Sequence, residues 1–418
     1  MSVAAIAEFP QPARDRLEQI GAADLVIALL APAEPEPLEA VIARARESVA
    51  GLRAPVRTVL IHPGASPSDS PANAHDDDSL RTLPLPVPST QSAADPAQAM
   101  RAACDTAFAV ATNLGARAVA VIVSGVDAVT SQWIYQLARP VLELDFDLVT
   151  PCYTHARFEG LLNSAIVAPL TQALYGRGIQ HPLGPDFGVS GRLARHFVES
   201  PSAPRDPRSL ASLAVEAIAR GFEISQANVG VRHYPPADWL NQSSVLAPVL
   251  DPVFREIEHR AAFWQRIRGS QPVPVLGDPP LSSAAPPDPP DTRQMLESFG
   301  LACRNLQEVW RVVLPPGALL ELTKLSRQPP AAFQMPDRLW ARVIYDFALG
   351  HRLRLLNADH LLRAMTPLYL AWVASYALET AGFNDDAASA RLNQLARAFE
   401  EAKPYALSRW RWPDRFNP

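Results

Sequence analysis

The chain has 418 residues, 48% of them hydrophobic, and a formal net charge of -5. That length holds two domains with a sizeable buried core, and that hydrophobic content excludes a disordered polymer. The slightly acidic balance gives no general electrostatic drive toward nucleic acid or an anionic membrane, so no nucleic-acid partner is expected.

Lys324 and Lys403 are the only lysines, so nearly all the positive charge is arginine. Cys104, Cys152 and Cys303 are odd in number and contain no C-x-x-C pair. They read as buried free thiols in a reducing compartment, not as a disulfide framework or a zinc site. Met1 to Asp24 carries Glu8, Asp15 and Glu18 and lacks the apolar core with basic flank of a signal peptide. No apolar run reaches the roughly 18 residues that cross a bilayer. The richest, Pro367 to Leu378, includes Tyr369, Trp372, Ser375 and Tyr376 and is predicted to be a buried helix. A cytoplasmic protein without a transmembrane segment is expected.

In chain order, Asp24 to Leu30 is a continuous apolar run, the pattern of a strand covered on both faces. Pro37 to Leu52 has helical spacing, with Pro37 at the first helical position. Pro55 to Ile61 is a second strand, and the strand–helix–strand order implies a parallel pair. Residues 63 to 95, rich in Pro, Ser, Asp and Ala, are predicted to be a long surface loop that includes His75-Asp-Asp-Asp78. An aspartate triplet can bind a cation, although a solvated loop is the commoner use of such a run. Ala97 to Leu114 is predicted to be helical, Ala116 to Val123 a third buried strand, Gln132 to Leu144 a helix and Phe146 to Tyr153 a fourth strand. Leu210 to Gly221 is another helix, Phe222 to Val229 a strand, and Leu250 to Arg268 an amphipathic helix. The prolines of 270–290 mark a linker. The expected domains are therefore an α/β domain over 1–269 and a helical one over 291–418, whose aromatic residues are predicted to pack a core.

The stretch from 116 to 234 carries a collinear set of motifs. The third strand runs into Ser124-Gly-Val-Asp127 and then Trp133-Ile134. Phe146-Asp-Leu-Val-Thr-Pro-Cys-Tyr153, Pro169-Leu-Thr-Gln-Ala-Leu-Tyr-Gly176 and His181-Pro-Leu-Gly-Pro-Asp-Phe-Gly-Val-Ser190 follow, with Ala217 to Gln226 after them. The set resembles retaining type-A glycosyltransferases that make mannosylglycerate and glucosyl-3-phosphoglycerate, together with their bacterial relatives. The resemblance implies a Rossmann-like domain for a nucleotide-diphosphate sugar, joined to an α-helical C-terminal domain. It also implies a small hydroxylated acceptor.

In that family a divalent cation, Mg or Mn, neutralises the leaving diphosphate, and its oxygen ligands come from a D-x-D motif at a strand end. Here the motif is reduced to Ser124-Gly-Val-Asp127. Asp127 reads either as a single metal carboxylate, completed by water and phosphate, or as the cap of the following helix or turn. Where relatives carry a late metal histidine this chain has Tyr234, with His233 one position before it. His233 is a ligand if a local bulge turns it inward, and otherwise a surface histidine. Metal binding is therefore expected to be weak or absent.

Asp186, in the best-matched motif, is the catalytic candidate, since a core carboxylate without a role is uncommon. Ser124, Tyr153, His155, Arg157 and Asn163 stand where the family meets its substrates. Arg101 and Arg232 are the candidate guanidinium groups for a diphosphate. The phosphoglycerate-binding G-R-x-T of the family is Gly160-Leu-Leu-Asn163 here, so a phosphoglycerate acceptor is not expected.

Two functions follow. One is sugar transfer from a nucleotide-diphosphate sugar with retention. The other is a catalytically inactive homologue acting as a binding or scaffold subunit. A nicotinamide dehydrogenase is disfavoured, because Ala31-Pro-Ala-Glu34 and not a G-x-G-x-x-G follows the first strand. Self-association as a homo-oligomer stays open.

Overall fold

The structure is a computed structural model and describes residues 9–30, 38–64, 76–85, 96–123, 129–200, 211–232, 234, 239, 242–278 and 289–413. Contacts divide the chain into two compact units that interleave in sequence. The first comprises Met1–Thr154, Gln180–Arg232 and Val273–Ser283, and the second His155–Ile179, His233–Pro272 and Ala284–Pro418.

Ten strands occur among the described residues. They are β1 (Leu25–Leu29), β2 (Thr58–Pro63), β3 (Leu80–Leu85), β4 (Ala118–Ile122), β5 (Leu148–Thr154), β6 (Arg177–Gly178), β7 (Phe187–Ser190), β8 (Ile224–Val231), β9 (Gln271–Pro272) and β10 (Val275–Leu276). In the first unit eight of them form one sheet in the order β10-β8-β5-β7-β4-β1-β2-β3. Every pairing is parallel except those of β7, which runs antiparallel between β4 and β5. This is the mixed, mainly parallel α/β sheet that the strand–helix alternation predicts. All five residues of β1 and of β4 are buried, as helices on both faces of a parallel sheet require. The described helices of this unit are Gln11–Ile20, Leu38–Ala50, Pro96–Asn113, Ser131–Leu144, Gly191–Glu199 and Ala211–Arg220.

Three segments differ from the sequence expectation. β3 lies inside the predicted surface loop of 63–95. It is an edge strand, so Pro84 removes no ladder hydrogen bond on its outer side, and the proline hides a strand that buries Leu80, Leu83 and Leu85. The aspartates ahead of it anchor that strand. Asp77 accepts from the Ser79 and Leu80 amides at 2.8 and 2.9 Å, and Asp76 accepts from the Thr82 amide at 2.9 Å while pairing with Arg16. The second difference is that the proline-rich stretch after Gly269 contains β9 and β10, and β10 extends the sheet beside β8. Third, the helix expected from Leu250 begins at Ser243 and accommodates Pro248 and Pro252. It ends at His259, and a short turn of helix follows at Ala261–Trp264.

β7 requires glycine. A Cβ at Gly188 would stand 2.1 Å from the Leu137 carbonyl oxygen of the helix Ser131–Leu144, and backbone cannot yield as a flexible side chain can. The opposite end of β7 is tied by Asp147, which is buried. It accepts from Ser190 Oγ at 2.7 Å, from Arg192 at 2.9 and 2.6 Å, and from the Glu223 amide at 3.1 Å.

The second unit is helical beyond Asp291, as the sequence predicts. Its described helices there are Thr292–Asn305, Gln307–Val313, Pro316–Leu325, Asp337–Arg352, Ala358–Glu379 and Asp385–Arg411. Trp310, Trp340, Tyr345, Phe347, Tyr369, Trp372 and Tyr376 are buried in its core. Trp340 stacks on Trp372 at 6.1 Å, Trp372 stacks on Tyr376 at 5.4 Å, and the Trp340 indole donates to the Ala165 carbonyl at 3.0 Å. Lys403, one of the two lysines, is buried. Its ammonium donates to the carbonyls of Ala173, Leu174 and Ile267 at 2.8, 3.3 and 2.7 Å. No helix among the described residues is long and apolar enough to cross a membrane. Cys104 and Cys152 are buried free thiols, and Cys303 is a half-buried one.

Gly188→Ala is expected to destabilise the fold by at least about 2 kcal/mol, because overpacking against backbone forces the helix or the strand to shift. Chemical denaturation measures it, and an unchanged midpoint would contradict the close approach.

His62, near the end of β2, supplies a pH dependence. It is buried, with Nδ1 at 3.1 Å from the Pro63 carbonyl and Nε2 without a partner among the described residues. Burial lowers its pKa below the usual imidazole value. The unfolded chain therefore binds this proton at a pH where the folded chain does not, and stability rises with pH through that window. The contribution is present above about pH 6.5 and is lost as pH falls toward the folded pKa. Between about pH 7.5 and about pH 5.5 the wild type is expected to lose more thermal stability than His62→Gln. Equal losses in melting scans would exclude His62 as the source.

Candidate functional site

In a parallel sheet the strand C-termini form one edge, and open α/β folds take their ligands there. Four groups meet at that edge in the first unit. Val123 follows β4, Tyr153 lies at the end of β5, and Arg232 follows β8 with its amide on the Thr154 carbonyl at 2.9 Å. Asp186 immediately precedes β7, which brings it to this same edge because β7 runs the opposite way.

The Asp186 side chain has no solvent exposure. One carboxylate oxygen accepts from the Val123 amide at 2.7 Å. The other accepts from the Tyr153 hydroxyl at 2.6 Å and faces Arg232 Nη1 at 3.4 Å. The Arg232 guanidinium also lies 4.8 Å over the Tyr153 ring. Tyr153 is clamped further by Trp133 at 5.6 Å and by the edge of the His181 ring at 5.2 Å. Burial, and after it the negative charge of Asp186, pushes the Tyr153 phenol well above its usual pKa, so it remains a neutral donor. Asp186, Tyr153 and Arg232, three of the residues singled out in the sequence, are thus brought together. The Val123 amide, Trp133 and His181 complete the cluster and were not singled out. An amide leaves no trace in residue type, and a tryptophan or histidine inside an apolar motif reads as packing.

The remaining candidates divide. Ser124, Asp127 and His233 lie outside the described residues. Helix Ser131–Leu144 is capped by Thr130, whose side chain accepts from the Trp133 amide. Among the described residues no group of three or more His, Cys, Asp or Glu could hold a metal ion. Arg101, on helix Pro96–Asn113, pairs with Asp105 one turn on at 2.7 Å.

His155, Arg157 and Asn163 belong to the second unit. Arg157 donates to the carbonyls of Thr380 and Phe383, both at 2.6 Å, and faces Asp385 at 3.4 Å. It therefore ties Thr380, the C-cap of helix Ala358–Glu379, to the turn at Phe383 and to Asp385 at the start of the next helix. Asn163 is buried and opens a π-helical turn, Asn163–Val167, a form common at functional sites. His155 meets the Tyr234 ring edge-on at 5.8 Å. Both side chains border Gly160, whose φ of +62° suits glycine. Tyr234 Oη and His155 Nε2 lie 3.5 and 3.8 Å from where a Cβ would stand.

No protein-family model and no curated protein sequence matches the chain. Solved structures with some likeness to it include glucosyl-3-phosphoglycerate synthase from Mycobacterium tuberculosis in complex with phosphoglyceric acid. That chain is 17% identical over 65% of this chain and 95% of its own length, with a TM-score of 0.38. The same synthase with Mn2+, uridine-diphosphate-glucose and phosphoglyceric acid is 17% identical over 64% of this chain and 93% of its own, with a TM-score of 0.33. Mannosyl-3-phosphoglycerate synthase from Rubrobacter xylanophilus is 15% identical over 62% and 82%, with a TM-score of 0.37. Identities this low and TM-scores below 0.5 establish neither the fold nor the activity of this chain, and the fold rests on the sheet described above.

Arg157→Ala is expected to cost about 2 to 3 kcal/mol of stability, because it removes the charged donor from the Thr380 and Phe383 carbonyls. A lowered denaturation midpoint in the second unit measures it. A variant of unchanged stability would return Arg157 to the set of ligand-facing residues.

Proposed function

We propose that this chain is a transferase of the nucleotide-diphosphate-sugar class, which moves a hexose to a small hydroxylated acceptor with retention of configuration. The observation that carries this reading is the Asp186–Tyr153–Arg232 cluster at the C-terminal edge of the sheet. It joins the motif resemblance of residues 116 to 234 to a built arrangement of charge. Asp186 is sealed from water and holds other groups in place. Arg232 keeps 20% of its side chain accessible. A guanidinium braced by a carboxylate and an aromatic face is preorganised positive charge, the kind that stabilises a leaving diphosphate without reorganising during the reaction. The acceptor hydroxyl would attack from the face the diphosphate leaves. The described residues do not supply the oxygen ligands a divalent cation needs, so no step is assigned to a metal. Asp127 and His233 are the residues that would hold one.

One observation favours a second reading. The Asp186 side chain has no solvent exposure, and both of its oxygens accept from protein donors, as befits a carboxylate that holds other groups in place. An inactive homologue that binds a nucleotide sugar as a scaffold subunit would keep such a cluster.

Calorimetric titration separates the readings. With UDP or GDP present, Mn2+ is expected to bind weakly, and Asp127→Ala is expected to abolish that binding. Without nucleotide no Mn2+ binding is expected. Arg232→Ala is expected to weaken the nucleotide about tenfold, equal to about 1.4 kcal/mol, with stability checked in parallel. Tight Mn2+ binding to the free protein would establish a conventional metal site instead. No nucleotide binding under any condition would remove the transferase reading. Binding without sugar release from any nucleotide sugar would leave the scaffold.

A further inference from the structure

The second unit presents a basic, aromatic rim that the cluster around Asp186 does not involve. Residues 264–268 run along the end of helix Asp385–Arg411. Ile267 offers its carbonyl to Lys403 at 2.7 Å, Gln265 accepts from Arg411 at 3.2 Å, and the Trp264 and Trp410 rings meet at 5.2 Å. This brings Arg266 and Arg268 to the same rim as Arg411 and Trp412, and all four are exposed. Trp412 is 70% exposed, more than any other large hydrophobic residue described. Arg352 lies behind them, 4.5 Å over the Trp410 ring. No salt bridge among the described residues engages Arg266, Arg268 or Arg411.

Among the described residues the nearby carboxylates Glu256, Glu258 and Glu400 are engaged elsewhere. Glu256 pairs with Arg260 at 2.9 Å, Glu258 pairs with Arg354 at 3.0 Å, and Glu400 accepts from Gln172 at 2.5 Å and Ser270 at 2.6 Å. Glu401 is exposed on the same helix but about 15 Å back from Trp412. Among the described residues the rim is therefore locally cationic, and the sequence just beyond it adds one charge of each sign, Asp414 and Arg415, on a chain whose net charge is -5.

We propose that this rim docks the protein on an anionic phospholipid surface, with Trp412 at headgroup level and Arg266, Arg268 and Arg411 against lipid phosphates. An amphipathic indole flanked by guanidinium groups is what a membrane–water interface accommodates. The attraction acts within a Debye length of about 8 Å, so the rim needs no favourable net charge. A single indole with three arginines lacks the succession of aromatic platforms along a basic groove that a single-stranded nucleic acid follows.

Co-sedimentation of the full chain with phosphatidylcholine vesicles, with and without phosphatidylglycerol, tests this. Binding is expected only with phosphatidylglycerol, and it should weaken as salt rises. Reversing charge with Arg266→Glu and Arg268→Glu together is expected to reduce it at least about tenfold. Trp412→Ser is expected to weaken it several-fold while the salt dependence persists. All three side chains are exposed, so circular dichroism and the melting temperature should stay at wild-type values and exclude misfolding. Equal sedimentation with both vesicle types, or anionic binding that survives the charge reversal, would overturn the proposal. Tighter binding to a single-stranded oligonucleotide than to anionic vesicles would overturn it as well.

Discussion

A carboxylate without access to water must be surrounded by donors, because an unpaired buried charge costs several kcal/mol. Asp186 meets that demand with an amide from the end of β4, a phenol from the end of β5 and a guanidinium from beyond β8. Three strand ends are therefore set by one side chain. The arrangement is possible only because β7 is reversed, which puts the residue just before it at the edge where its parallel neighbours finish. Asp147 does the equivalent work at the opposite edge, where it receives Ser190, Arg192 and the Glu223 amide. A four-residue strand inserted against the direction of its sheet is thus pinned at both ends by a buried carboxylate. Gly188 lets the covering helix descend onto it.

The two carboxylates differ in what surrounds them, and the difference bears on function. Asp147 is enclosed by groups that join elements together. Asp186 holds a phenol kept neutral by burial and a guanidinium stacked on that phenol's ring, at the edge where ligands enter folds of this kind. Such a cluster is stiff, so a charge within it keeps its orientation without help from a ligand. In the proposed transferase, preorganised charge of this sort would serve equally to hold a diphosphate and to stabilise its departure.

Cations do structural work elsewhere in the molecule. Arg157 and Lys403 both satisfy carbonyls at helix ends in the second unit. Burial pushes the Lys403 ammonium down to about 8, against the pull of Glu400, yet it still serves three carbonyls. Arg101 is engaged by its neighbour Asp105. An arginine in a motif therefore says little about a ligand until its partners are known, and among these positions Arg232 is the one built into the edge cluster.

The sequence alone determined the elements whose signal is local. Continuous apolar runs marked β1 and β4, helical spacing marked the C-terminal third, and the aromatic residues from Trp310 to Tyr376 that were read as packing proved to be core. β3 escaped because an edge strand tolerates Pro84 and lies among loop-forming residues, and β10 escaped among prolines for a similar reason. What only the tertiary structure decided was long-range. The direction of β7, the role of Asp186 as a holder of other groups and the clamp made by Arg157 depend on residues 33, 63 and 223 positions apart. Periodicity reports which face of an element is covered. It carries no record of which distant donor will meet a buried acceptor, since that is settled by how the chain crosses and packs.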